Sequence, residues 1–314
     1  MLIVRVPPWA ATGQSFTVPV DADPSMPRTA TQPTPDLDVT GIDIARAAVF
    51  SGRPWHLLHQ PHHGSNAEFA QWRVTSCLRL IEPNGSSLRR PAIFHSEVDA
   101  TEKGHLNFAL GGAMTKAYLE AKLGIFWLAH YSLVKKSPRY RVLRRVPGFS
   151  EPDYIGMDSQ YRFFAAEAKG RVSLDAATKK SLNCKKQTGI VNSVNGQIIL
   201  QRYGVAAITG GSHIQLYATD PEVEIELPKP SEWLASFYEY VRAVCGPEGE
   251  VSEAENTPES WTQVSFDLPE QVSQWVSEGA DPAEWEGLAS RTREAYRESI
   301  VLPDLTVMSV SSQS

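Results

Sequence analysis

Residues 152–171, PDYIGMDSQYRFFAAEAKGR, hold two acids and a base whose spacing could do chemistry. Glu167 and Lys169 lie two apart in an apolar stretch. In a strand that spacing puts both side chains on one face. Asp153 stands fourteen residues before Glu167, and a hairpin would bring the two carboxylates together. A hard divalent cation such as Mg²⁺ or Mn²⁺ takes oxygen ligands and keeps several waters, so one or two carboxylates suffice to hold it. The backbone carbonyl of Ala168 is a natural third oxygen. A cation held this way activates water and offsets charge building on a phosphate. An amine at Lys169 can orient the water or stabilise the transition state. The corresponding chemistry is phosphodiester hydrolysis. The plain alternative is a surface ion pair of little energetic worth.

These residues need elements to position them. Before them, DATEKGHLNFALGGAMTKAYLEAKLG reads as a helix. Asp99 and Glu102 fit a capping box, small apolar residues recur at helical spacing, and Gly124 fits a C-terminal stop. Gly111 and Gly112 are costly inside a helix and predict close packing against a sheet. A buried strand follows at 125–134, then PDYIGM and YRFFAAEA as a strand pair joined by a tight DSQ turn. Asp158 in that turn is an alternative acid. The next helix starts near Ser173, a fair N-cap, and VAAITGG and IQLYATD read as strands. The order from 99 to about 220 is helix, strand, hairpin, helix, strand. This predicts an α/β fold, a small mixed sheet flanked by helices.

Charge is divided along the chain. The net charge of −6 hides a middle from Arg89 to Arg202 with 19 Lys and Arg against 9 Asp and Glu. From Gly246 to Ile300 there are 13 acids against 3 Arg. A basic middle suits a polyanion. Lys135, Lys136, Arg139, Arg141, Arg144 and Arg145 cluster within eleven residues and suit backbone contacts that are salt-dependent and blind to sequence.

The PD…EAK pattern in this element order resembles the PD-(D/E)XK (restriction-endonuclease-like) nuclease superfamily, over a little more than a third of the chain. The resemblance implies that Asp153 and Glu167 are metal ligands and Lys169 the catalytic lysine. It also points to Gln187, with Lys185 or Lys186, on the following helix, and to Glu102 on the first. It implies Mg²⁺ or Mn²⁺ as cofactor, double-stranded DNA as substrate, and an endonuclease effector of a restriction or anti-phage defence system. A protein partner or homo-oligomer would regulate it. A non-catalytic DNA-binding or interaction subunit and an RNA-directed nuclease are the alternatives.

A second EAK, at Glu120–Lys122, lies in the helical segment. There i,i+2 points the groups apart, so it reads as a solvated face. WHLLHQPHHGSN holds four of the eight histidines but lacks the spaced ligands of a zinc site. His95, His105 and His130 read mainly as packed residues. No P-loop, G-x-G-x-x-G, G-x-S-x-G or C-x-x-C is found. Three scattered cysteines make no disulfide framework, and no apolar run reaches a membrane span. The start is too short and proline-broken for a secretory signal. The expectation is a cytoplasmic protein with no membrane partner. Three segments are expected: 1–98, loop-rich over its first 45 or so residues with one early strand at LIVRV; 99–245, the nuclease core and following helix; and 246–314, an acidic extension with one or two short helices that docks a partner or shields the basic cleft.

Overall fold

Six strands form the sheet that carries Glu167. The computed structural model describes residues 2–23, 36–51, 66–131, 152–182, 201–219, 230–245 and 260–311. In chain order the strands are β1 (Leu2–Val6), β2 (Ser15–Val18), β3 (Val20–Ala22), β4 (Leu37–Thr40), β5 (Glu82–Asn84), β6 (Ser87–Arg89), β7 (Trp127–His130), β8 (Tyr154–Met157), β9 (Phe163–Arg171), β10 (Gln201–Ile208), β11 (Gln215–Thr219), β12 (Thr262–Asp267), β13 (Ile300–Val301) and β14 (Val307–Val310). The helices are α1 (Pro8–Ala11), α2 (Gly41–Phe50), α3 (Asn66–Leu78), α4 (Ala92–Ser96), α5 (Ala100–Leu123), α6 (Ala176–Leu182), α7 (Pro230–Cys245), α8 (Glu270–Ser277) and α9 (Trp285–Ala295). The architecture is mixed α/β.

The large sheet has the order β3-β11-β10-β9-β8-β7. β7, β8 and β9 pair antiparallel, with Tyr154 opposite both His130 and Ala166. β10 then lies parallel to β9, and α6 lies between them in sequence. β9 is buried along most of its length, apart from the half-buried Lys169 and exposed Arg171. A central strand covered on both faces cannot show simple apolar–polar alternation, which is why FFAAEA reads as a continuous apolar run.

α5 packs across one face. Asp99 caps it by accepting from the Thr101 and Glu102 backbone N–H groups, and Gly124 ends it at φ 65°. Its glycines permit close approach. A Cβ on Gly111 would lie 2.6 Å from the Lys169 and Gly170 backbone, and one on Gly112 would lie 2.6 Å from the Tyr154 hydroxyl. Gly170 is tighter still: a Cβ there would sit 1.6 Å from the Asn107 carbonyl oxygen. That neighbour is backbone, so helix and strand must separate. Gly170→Ala is expected to destabilise the protein by about 1–3 kcal/mol, the usual cost of overpacking, or more. A denaturant melt checks this.

Several sequence expectations need correction. The first 45 residues are not mainly loop: β1 to β4 form there, and β3 joins the large sheet beside β11. The β8–β9 connection is a five-residue loop, 158–162, rather than a tight DSQ turn. Asp158 organises it, accepting from the Gln160 and Arg162 N–H groups and pairing with the Arg162 guanidinium. It lies at the opposite end of β8 from Asp153, so it is a turn residue and no ligand. Asp175, not Ser173, supplies the cap of α6, accepting from the Thr178 N–H at 2.6 Å.

The acidic C-terminal segment is no detachable shield over its described part. β12 pairs antiparallel with β1, Leu2 opposite Phe266, in a four-stranded sheet of order β1-β12-β14-β13. Residues from Leu2 to Met308 share one apolar core. The segments 1–98, 99–245 and 246–314 are therefore joined by common sheets and a common interior.

The second EAK is also corrected. Glu120 is buried and paired with Arg46 of α2 through both terminal guanidinium nitrogens. Lys116, fully buried, lies 4.0 Å from Glu120, and Asp304 lies 3.6 Å from Arg46. Helix periodicity could not reveal this, because α2 and the Asp304 loop reach α5 only through the tertiary fold. Removing one partner of a buried pair strands the other and costs about 3–5 kcal/mol. Glu120→Ala is expected to lose stability on that scale in an equilibrium melt. No described helix is long and apolar enough to cross a membrane.

Candidate active site

Strand pairing places Asp153 and Glu167 together. The β8–β9 ladder ends with Tyr154 opposite Ala166, and one further step puts Asp153 opposite Glu167. At that step a side chain replaces the backbone acceptor: the Ala168 N–H donates to Asp153 Oδ2 at 3.0 Å. Pro152 has no N–H to offer a ladder, so the strand begins just after it. The Asp153 backbone is held from the other side, its carbonyl accepting from the Tyr131 N–H at 2.8 Å.

The N–H and C=O of one strand residue point to the same neighbour. The Ala168 carbonyl therefore opens on the side where its N–H meets Asp153. It is available there as the third oxygen expected from sequence.

Tyr154 turns toward α5, as its contact distance to Gly112 requires. By alternation Asp153 and Glu167 point to the other face. Lys169 shares that face, and its amine pairs with Glu167 Oε1. Gly204 of β10 stands beside Glu167 in register. A Cβ there would approach Leu182 of α6 at 3.1 Å, so α6 covers this face. Gly204 and Asn107 escape sequence reasoning. Asn107 is buried and accepts from Arg90 Nη2 and Thr209 Oγ1, each at 3.0 Å, and so locks α5 to the end of β10.

The electrostatics are unusual for a structural pair. Glu167 is only 3% exposed, and burial lifts its carboxyl to about 7, with the negative charge of Asp153 adding to the rise and Lys169 opposing it. Its Oε2 is buried and meets no donor, the Asp153 carboxyl within its reach being an acceptor when ionised. A buried carboxylate oxygen without a donor is costly. A proton satisfies it, and so would a bound cation. The donor set, two carboxylates and a carbonyl, suits Mg²⁺ or Mn²⁺, which fill their remaining positions with water. Among the described residues no group of three or more His, Cys, Asp or Glu forms a ready-made metal site.

His130 is half-buried on β7, its ring 5.3 Å from that of Tyr154. Burial holds its pKa below the ordinary histidine value, with the Arg73 cation adding to this and Asp153 opposing it.

No family model matches the chain, and no curated protein or solved structure matches it either.

Glu102 is not brought to the site. It is exposed in the first turn of α5, and nine residues at 100° each put it on the side of the helix opposite Gly111. His105, read from sequence as a packed residue, is exposed, its ring 5.1 Å from that of Trp72 and tilted 39° to it. Gln187, Lys185, Lys186, the basic run Lys135, Lys136, Arg139, Arg141, Arg144 and Arg145, and the histidines from His56 to His63 lie outside the described residues. Within them, Arg171, Lys179 and Lys180 are exposed near the end of β9 and along α6. Lys179 also lies over the Tyr217 ring, 4.9 Å from its centroid.

Proposed function

We propose that this chain is a Mg²⁺- or Mn²⁺-dependent nuclease that hydrolyses phosphodiester bonds of DNA, with a core of the PD-(D/E)XK type. The observation that carries the reading is Glu167: a buried carboxylate with an orphaned oxygen, set opposite Asp153 and beside Lys169. An ion pair serving stability alone would not need a second acid across the strand, because a second negative charge raises the cost of burying the first.

Asp153 and Glu167 would hold the cation with the Ala168 carbonyl. When bound, it would lower the pKa of a coordinated water and offset charge on the phosphate. Asp153 is held in place by the Ala168 N–H, so its orientation is set before substrate arrives. Glu167 must be ionised to act as a ligand, and its raised pKa makes that step pH-sensitive. With a cation held there, Glu167 would hold Lys169 less strongly. The Lys169 amine is then available to orient the attacking water or to bond a phosphate oxygen. Water adds to phosphorus and gives up a proton to solvent, the bridging P–O bond breaks, and the departing oxygen takes up a proton from solvent.

Endonuclease action in restriction or anti-phage defence, under the control of a partner, is what the family resemblance adds to this reading. The test is conversion of supercoiled plasmid by the purified chain in Mg²⁺, Mn²⁺ and EDTA, alongside Glu167→Ala and Lys169→Ala. Metal-dependent nicking lost in both variants supports the assignment. Equal activity in all three proteins sinks it and leaves a non-catalytic subunit. An RNA substrate run in parallel separates the RNA-directed alternative.

A further inference from the structure

Phe108 is an exposed aromatic residue, 57% accessible, in the middle of a helix that packs on the sheet. Helix geometry places it. At 100° per residue it falls between Gly111, which touches the Lys169–Gly170 backbone, and Gly112, which meets Tyr154, but one turn nearer the helix start. α5 runs antiparallel to β9, since Gly111 lies against Lys169–Gly170 while Asn107 and Phe108 lie against Gly170. The Phe108 backbone N is 3.0 Å from where a Gly170 Cβ would be. At that level β8 has already ended, because its ladder with β9 stops at Tyr154–Ala166 while β9 runs on to Arg171. Phe108 therefore stands over the notch between the start of β8, marked by Asp153, and the projecting end of β9.

The surroundings suit a polyanion. Arg171 continues the face of Glu167 and Lys169, and Lys179 and Lys180 are exposed on α6, which covers that face. The acids beside them among the described residues are Asp175 and, at the far side under Lys179, Asp23, which accepts from the Tyr217 hydroxyl. Phosphates would follow these cations. An aromatic ring alongside a cationic track is the pattern that binds unstacked bases. A paired base inside a duplex has no free face to offer.

We propose that Phe108 stacks on a base next to the scissile phosphate, so that the site takes DNA locally unpaired at the cut, such as a flap or frayed end. This rests on the nuclease reading and narrows its substrate. A DNA strand crossing the end of β9 meets both sheet faces, Lys169 on one and Phe108 on the other.

The experiment is fluorescence anisotropy with the full chain in EDTA, using a perfect duplex and the same duplex with a single-stranded flap. Wild type is expected to bind the flapped duplex more tightly. Phe108→Ala is expected to lose about tenfold on the flapped duplex, the scale of one base stack, and little on the perfect one. Phe108→Trp is expected to retain the preference, which also shows that the position tolerates change. Unchanged flap binding by Phe108→Ala, an equal loss on both duplexes, or no binding of either DNA overturns the inference. Binding is read without metal, so the two readings fail separately. Plasmid nicking that depends on Glu167 together with flap binding indifferent to Phe108 overturns this inference alone. Phe108-dependent flap binding without Mg²⁺- or Mn²⁺-dependent cleavage of the plasmid or of the flapped duplex upholds the stacking and overturns the nuclease assignment.

Discussion

Asp153→Asn, Glu167→Gln and Lys169→Ala are each expected to lower Mg²⁺-dependent nicking of supercoiled DNA by about a hundredfold to ten-thousandfold, the range for losing one catalytic or charge-stabilising group. The three should differ in detail. Asp153→Asn keeps an oxygen able to accept from the Ala168 N–H, so the strand start survives while half the ligand charge is lost. Glu167→Gln removes the more deeply buried acid and leaves Lys169 without its partner. Lys169→Ala leaves both carboxylates and so should still bind cation. Mn²⁺ should therefore raise the melting temperature of Lys169→Ala while nicking stays lost. Nicking by the purified variants at one protein concentration, with melts to confirm folding, checks all three. Activity within threefold of wild type in any of them would remove that residue from the catalytic role.

The second large effect is a stability that falls as pH rises. The Glu167 carboxyl is lifted from about 4.5 to about 7 in the folded protein. The native state therefore keeps a proton that the unfolded chain has released, and between these values the unfolded state binds fewer protons. Stability then falls with pH through that window. It is fully present below about 4.5 and gone above about 7. At 1.36 kcal/mol per pK unit the change is of the order of 3 kcal/mol. His130, held low by burial, works with the opposite sign, gaining stability as pH rises through its ordinary value. The difference between wild type and Glu167→Gln isolates the glutamate. Glu167→Gln should be the more stable protein above pH 7 without metal, and its stability should lack the fall. Added Mg²⁺ or Mn²⁺ should raise the wild-type melting temperature by several degrees at pH 8, less at pH 5.5, and not at all in Glu167→Gln. Chelation should reverse the gain. Parallel wild-type and variant curves across this range would show that Glu167 is not the buried acid described.

Much of the local structure was legible because it depends on short-range rules. The Asp99 cap, the Gly124 stop and the helix between them follow from residue types within a few positions of one another. The β8–β9 hairpin follows from two apolar runs around a polar turn, though its loop is longer because Asp158 folds five residues about its carboxylate. At the N- and C-terminal ends the joining of distant segments was missed for one reason. β1 and β12 each need the other as a partner, and they lie some 260 residues apart. The apolar run LIVRV marks a strand, but nothing local names a neighbour that distant. Glu102 shows a similar limit: its position at the start of α5 was correct, but only the contact of Gly111 with β9 shows which side of the helix faces the sheet.

By itself the sequence determined that Glu167 and Lys169 share a strand face, because strand periodicity is exact enough at two residues to need no further information. It also marked Gly111 as a place of close approach. The tertiary structure alone decided that Glu167 is buried, that its Oε2 lacks a donor and that Asp153 stands opposite it. The sequence set the helical EAK apart from the one in the strand, but the tertiary structure alone decided what each glutamate meets. Glu120 meets a cation from another helix and becomes part of a neutralised interior, whereas Glu167 meets a second acid and is left short of positive charge. The difference lies in what the fold brings across from distant segments, and burial then magnifies it, since a charge withdrawn from water responds to each neighbour far more strongly than an exposed one.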